Sequence, residues 1–403
     1  MKIFKILSVF CIVIISLFPS VGICAWKQNQ FIITHWCPPP PTIEALSSAK
    51  NEGFNLTWAL ESKLDIVQKQ GLNVMLSDEL LTPSTLDNPG TRKKLDELIS
   101  RVKNHPSLEA YILADEPGAT DFPGLGKLVA YLRERDPNHV AYINLFPIYA
   151  TNKHLGTKGT SIIAYQEYLR RFITEVKPSL ISFDHYFFFK AHDGDQYFIN
   201  LEMIRQVALE NSLPFINIIQ ASTIEKNWRL VDKNELRWLI YTTLAYGARG
   251  ISYFLYWGPT AYGGLYQDGK KTPLVDMVSL LNREISALSV ILMDLDSLGI
   301  YHAGTLPTGT KVVPITSPVQ FVGPGNFVLG LFGKNKIITT FMVVNRDYKN
   351  QATAQIALKK DISRIEEFDK VLKSWIVYKQ INSKNIISAV LNPGDGRMFR
   401  ILP

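Results

Sequence analysis

The chain has 403 residues, 46% of them hydrophobic and 20% charged, enough to bury more than one core and unlike a disordered protein. Its formal charge is +7, from 43 Lys and Arg against 36 Asp and Glu, and no run of basic residues concentrates it. A nucleic-acid partner therefore has no electrostatic footprint here.

Lys2 and Lys5 precede an apolar stretch over residues 6–18, which Pro19 and small residues up to Cys24 and Ala25 bring to a close. This is the layout of a secretory signal, and the stretch falls short of the ~18–20 residues a membrane span needs. It predicts a signal peptide over residues 1–25 with cleavage after Ala25, and export to a bacterial periplasm, cell surface or medium. Cys24 opens a second route, lipid attachment and hence membrane association, although bulky Ile23 stands before it. With Cys11 and Cys24 removed, only Cys37 remains and no internal disulfide is expected.

From residue 30 onward, short apolar runs alternate with amphipathic segments. Strands are predicted over 31–36, 54–58, 72–77, 108–114, 140–146, 180–186, 215–220 and 251–257. Helices are predicted between and after them over 42–51, 62–70, 91–104, 125–135, 161–176, 198–211, 235–246 and 273–291. Continuous apolar strands separated by helices argue for a parallel sheet covered on its outside. Eight such units predict a (β/α)₈ barrel over residues 26–297. An open doubly wound sheet would carry a glycine-rich phosphate turn after its first strand, and none follows residues 31–36. Beyond residue 297 the segments become short and β-rich, over 311–315, 326–332, 337–345, 353–358, 375–378 and 386–391. A turn over 392–396 then enters a last strand, which predicts a small all-β sandwich domain over 298–403.

In such a barrel the working groups sit where the strands end. Those ends supply His35 and Trp36, then Trp58, Asp78 and Glu79, then Asp115, Glu116 and Pro117, then Asn144. The remaining strands end in Asp184, His185 and Tyr186, in Gln220, and in Tyr256 and Trp257. The rim holds no lysine and is rich in carboxylates and aromatic rings. Glycosidic cleavage needs both, an acid for the leaving oxygen with a second group at the sugar carbon, and flat faces for the ring.

The segment from Tyr111 to Pro117, ending Asp-Glu-Pro, resembles the strand-four motif of the large clan of retaining (β/α)₈ glycoside hydrolases, in which an Asn precedes the acid/base Glu. The aromatic segment from Tyr246 to Trp257 is similar to strand eight of such enzymes, and the turn around Pro393 to the β-domain that often follows them. The resemblance implies that Glu116 is general acid/base and that Asp115 contacts the sugar. This chain departs from the clan at strand seven, where the clan's nucleophile Glu is replaced by Gln220, whose amide is a far poorer nucleophile. Three resolutions stand open. Another rim carboxylate could act, Asp184 first and Asp78 or Glu79 after it. The adjacent Asp115 and Glu116 also resemble the pair of barrel N-acetylhexosaminidases, where the substrate supplies its own nucleophile. Or the rim binds glycan without cleaving it.

The expected catalytic residues are Glu116 and Asp184. Asp115, His35, Trp36, Trp58, Asp78, Asn144, His185, Tyr186, Gln220, Tyr256 and Trp257 are the expected substrate contacts, on a carbohydrate partner and with no cofactor. His35, Asp78 and His185 lack the tight spacing of a metal site, and residues 192–195 lack most ligands of a calcium loop. The glycines and aromatics of 262–266 suit a mobile lid or a surface turn.

Overall fold

The computed structural model describes residues 26–402 except 225, 361, 363 and 379–384. The signal peptide, its cleavage after Ala25 and the Cys24 anchor fall outside the described residues. Among those described, no helix is long and apolar enough to cross a membrane.

Eight parallel strands form the barrel: β1 Ile32–His35, β2 Leu56–Ala59, β3 Asn73–Leu76, β4 Leu108–Asp115, β5 Val140–Leu145, β6 Ile181–Asp184, β7 Phe215–Gln220 and β8 Gly250–Phe254. Their ladder runs β1-β8-β7-β6-β5-β4-β3-β2. The remaining seam, between β1 and β2, is closed partly by a side chain. Asn55 Oδ1 accepts from the Ile33 N–H at 2.9 Å, its Nδ2 donates to the Phe31 carbonyl at 2.7 Å, and its own N–H donates to the Ile33 carbonyl at 3.0 Å.

Strand side chains alternate between two cores, as a period of two requires. Ile32, Leu56, Met75, Ala110, Val140, Tyr142, Leu180, Ile216 and Ile218 fill the barrel, while Ile33, Val74, Leu76, Tyr111, Ile143, Phe183, Ile219 and Ile251 meet the helices outside. The covering helices begin and end as their sequences dictate. Lys233–Ala245, for example, starts in a capping box, in which the Asp232 carboxylate accepts from the Glu235 N–H and Glu235 accepts from the Asp232 N–H.

The last barrel helix, Pro273–Asp294, leads directly into the strand Asp296–Ala303 of a two-sheet sandwich. Six antiparallel strands make one sheet and three the other, formed by Val319–Phe321, Ala352–Leu358 and Ile386–Leu391. Most predicted segments are strands here, but residues 311–315 are not. Their apolar residues Val312 and Ile315 are exposed, with no sheet face to cover them. The strands Asp296–Ala303 and Arg364–Asp369, rich in polar residues, escaped the sequence reading.

The six-stranded sheet is apolar on both faces. Leu329, Leu331, Phe341, Val343 and Phe399 face the sandwich interior, whereas Val328, Phe332, Met342, Val344 and Met398 join the barrel's outer core. Two glycines allow that approach. A Cβ on Gly330 would lie 2.4 Å from the Ala245 carbonyl oxygen, and one on Gly396 would lie 2.3 Å from the Tyr241 ring.

Candidate active site

The end of β4 carries the main local irregularity. Ile112 pairs with Tyr142, but Ala114 pairs with Ile143, so one extra residue is accommodated between them. Such a bulge shifts the alternation by one. Leu113 and Ala114 pack on the outer core, and Asp115 comes level with the inward-facing Asn144. Asn144 Nδ2 donates to Asp115 Oδ1 at 3.1 Å, Ser182 Oγ bonds Asn144 Oδ1 at 3.2 Å, and the Tyr142 hydroxyl meets Ser182 Oγ at 2.8 Å. A polar ladder thus holds Asp115 at the mouth.

Glu116 follows with a left-handed φ of 47°, its N–H bonded to the Asn144 carbonyl at 2.8 Å. A non-glycine residue there is uncommon and is sustained by its surroundings. The Glu116 carboxyl has the carboxyl of Asp184, at the end of β6, as an electrostatic neighbour. Asp184 is buried, and its Oδ1 is closed to solvent without a hydrogen-bond partner. Two buried carboxyls that repel each other resist ionising together. Burial first, then the Asp115 charge, lifts Glu116 from its ordinary 4.5 to about 7. Burial and the Glu116 charge hold Asp184 well above the carboxylate range. No cationic side chain among the described residues offsets Asp115 or Glu116.

Aromatic rings wall the mouth. Trp36 and Trp58 meet edge-on at 4.6 Å, Trp36 lies 6.5 Å from Phe254, Phe254 lies 5.5 Å from Tyr186, and Tyr186 packs at 4.2 Å on Trp228. Tyr149 joins them, its hydroxyl accepting from the Tyr186 N–H at 3.3 Å. Phe254, Trp228 and Tyr149 were not anticipated from sequence. Phe254 was discoverable, because it lies two residues from the inward Ser252, whereas Trp228 and Tyr149 sit in loops without periodicity.

Gln220 is at the end of β7 as expected, yet it is fully buried. Its Oε1 accepts from the Phe188 N–H at 3.0 Å, and its Nε2 donates to the Phe188 and Arg229 carbonyls at 2.9 and 3.0 Å. The amide joins the loops after β6 and β7 and offers nothing to a ligand. Arg229 continues that clamp. It donates to the Phe189 carbonyl at 2.5 Å, to Asp193 at 2.8 Å and to Glu235 at 2.7 Å, and the Tyr348 hydroxyl from the sandwich reaches Asp193 at 2.5 Å. The loop over 192–195 is therefore pinned.

Five expected contacts lie elsewhere. His35 is fully buried on the outer side of β1, between Phe54 and Tyr256, and burial lowers it to about 3. His185 also faces outward, its Nδ1 2.9 Å from Asn200 Oδ1, and burial lowers it to about 4. Both follow from parity, since each neighbours an inward residue, Thr34 or Asp184. The Tyr256 hydroxyl points away from the mouth and bonds buried Glu52 at 2.8 Å, which the Tyr266 hydroxyl also reaches at 2.6 Å. Trp257 stacks at 5.3 Å on Tyr266 in a small three-stranded sheet after β8, so residues 262–266 are anchored rather than free as a lid. Asp78 Oδ1 accepts from the Leu80 N–H at 2.9 Å and shapes the turn after β3, and Glu79 is exposed.

A hollow of about 990 Å³ opens at the opposite end of the strands, beside Trp26, Lys177, Pro214, Arg249 and Ser297. It is remote from the carboxyls, and in barrels that end serves stability rather than chemistry.

No protein-family model and no curated protein matches this chain. Solved structures do share its fold. An α-galactosidase I from Mortierella vinacea aligns over 95% of this chain and 98% of its own, at 9% identity and a TM-score of 0.50. A β-mannanase from the blue mussel Mytilus edulis aligns over 64% of this chain and 92% of its own, at 9% identity and 0.40. A xylanase 10B from Thermotoga petrophila covers 63% and 94%, at 12% identity and 0.42. At such identities the likeness is one of fold alone.

Proposed function

We propose that this protein hydrolyses glycosidic bonds of an oligo- or polysaccharide, with Glu116 as proton donor. The observation that carries the reading is the coupling of the Glu116 and buried Asp184 carboxyls, from the ends of β4 and β6, inside an aromatic-walled barrel mouth. An acid that titrates at about 7 keeps a proton near neutrality and gives it readily to a leaving oxygen. Asp115, fixed by Asn144, takes a sugar hydroxyl, and Trp58 and Phe254, both half-buried, offer faces to a pyranose ring. The catalytic unit is residues 26–297, with the sandwich over 298–403 supporting the loop after β6 through Tyr348.

The test is Glu116→Gln assayed against a broad panel of oligo- and polysaccharides. Hydrolysis should fall by ~10²–10⁴-fold while glycan affinity is retained. A wild-type chain that binds glycans and cleaves none of them would instead be a glycan-binding barrel.

A further inference from the structure

The hollow of about 990 Å³ at the far end of the barrel lies among the entrances to β1, β6, β7 and β8. Five cations line it, Lys27, Arg133, Lys177, Arg205 and Arg249, against one carboxylate, Asp296. Arg205 is already occupied. It is buried, lies 3.5 Å from Glu202 and donates to Ser297 Oγ at 3.1 Å. Lys27, Arg133, Lys177 and Arg249 form no ion pair among the described residues.

Two of these four are fixed in place without being neutralised. Arg133 Nη2 donates to the Lys177 carbonyl at 2.5 Å, and Arg249 Nη2 donates to the Leu295 carbonyl at 2.5 Å. Gln28 Nε2 donates in turn to the Arg249 carbonyl at 2.6 Å, which ties the segment carrying Lys27 to the same place. Half-buried guanidiniums elsewhere in the fold are closed by carboxylates, Arg171 by Glu175 and Arg397 by Glu367. Here burial works against the Arg249 charge more strongly than Asp296 supports it. A desolvated cation without a counter-charge is unfavourable, and an anion in the hollow relieves it. The segment before Trp26 does not supply that anion, since residues 1–25 contain Lys2 and Lys5 and no Asp or Glu.

We propose that this hollow binds a ligand bearing a phosphate or sulfate group, its oxyanion drawn by Lys27, Arg133, Lys177 and Arg249 and its body resting on the apolar lining at Trp26 and Pro214. A multivalent oxyanion suits the site better than a carboxylate does. One negative charge leaves most of the four cations unanswered, while Asp296 repels it. The volume stands at the upper end of the ~300–1,000 Å³ of small-molecule sites, which leaves room for a sugar-sized body beside the oxyanion. The barrel mouth has the opposite sign, with no cationic side chain to offset Asp115 or Glu116, so such a ligand is turned from one end of the barrel to the other. Binding here takes no part in bond cleavage, and the inference stands apart from the glycosidase reading.

The full chain is titrated calorimetrically with glucose 6-phosphate, glucose 6-sulfate, inorganic phosphate, acetate and glucose at constant ionic strength. Saturable one-to-one binding is expected for both esters, with acetate weaker by ~10-fold or more. Arg249→Gln should weaken the esters by ~10-fold or more. Because Arg249 also holds the Leu295 carbonyl, a second variant combines Lys27→Gln with Lys177→Gln. Both lysines are exposed and their ammonium groups make no hydrogen bond among the described residues, so the same loss is expected in an undisturbed fold. Any binding of glucose, which carries no oxyanion, should be equal in wild type and variants, so a loss specific to the esters marks this hollow. Inorganic phosphate binding as tightly as the esters identifies the free ion as sufficient, and weaker phosphate binding shows the sugar body in contact; either keeps the oxyanion in the hollow. No saturable binding of esters or phosphate, acetate binding as tightly as they do, or ester binding that both variants leave unchanged overturns the inference.

Discussion

The Tyr186 ring packs on Trp228 with centroids 4.2 Å apart while its hydroxyl acts on the Asp184 carboxyl, so one side chain is at once wall of the mouth and an influence on its buried acid. Tyr186→Phe keeps the wall and removes the influence. In the proposed enzyme it should lower kcat by roughly 10-fold with little change in KM, the pattern of a contact that matters in the transition state. Steady-state kinetics on a single substrate checks the split.

The raised Glu116 pKa fixes the sign of two pH effects. Activity that needs the protonated acid is present below about 7 and is lost as pH rises through that value. Because Asp115 contributes to the elevation, Asp115→Asn should move this alkaline limb of the kcat/KM profile to lower pH. Stability has the same direction. A carboxyl raised from 4.5 to about 7 contributes fully below 4.5, and the contribution is lost as pH climbs through about 7. Denaturant unfolding of wild type and Glu116→Gln across that window should show a steeper pH-dependence in the wild type, the variant keeping only the contribution of Asp184.

Gln220→Glu would supply the residue type found at strand seven of the clan that the β4 motif resembles, and its environment argues against any gain. The substitution removes two donated bonds and turns a carboxylate toward the Phe188 and Arg229 carbonyls in a fully buried position. A cost of about 2–4 kcal/mol is expected, with reduced activity rather than rescue. Chemical denaturation together with the assay decides it. A stable variant with higher kcat would remove the clamp reading.

The two tryptophans of the mouth should separate binding from folding. Trp58 is half-buried, and Trp58→Ala should raise the Kd for glycan by roughly 10-fold at modest cost to the fold. Trp36 is only 8% exposed, and Trp36→Ala should destabilise the chain by about 3–5 kcal/mol. Calorimetric binding alongside denaturant curves distinguishes the two outcomes.

Tyr256→Phe serves as the counterpart. It breaks one bond to buried Glu52, far from the carboxyl pair, and should cost about 1–2 kcal/mol with kcat and KM unchanged. A raised KM would return Tyr256 to the mouth.

The barrel was legible because each strand is an apolar run and each helix a clean amphipathic stretch, and strand ends such as Asp115 and Glu116 stand out against them. Which side of a strand a residue faces was harder to read. In β1 the alternation sets His35 opposite to Thr34 and Trp36, so its outward position is legible in the strand's period of two. At β4 and after β8 it was not, because the bulge near Leu113 and the turn after Phe254 reset the alternation, and no residue pattern announces either. Gln220 was placed correctly, but its partners are backbone atoms of two loops, which side-chain chemistry in a sequence does not specify.

The sheet that spends both faces on apolar contacts joins the fates of the two halves. Val328, Phe332, Met342, Val344 and Met398 lie against barrel helices, so neither half can melt without baring the other's oily surface. Calorimetry should accordingly record a single heat-absorption peak for the whole chain, and a cut near residue 296 should yield fragments that clump instead of two tidy, independently soluble pieces.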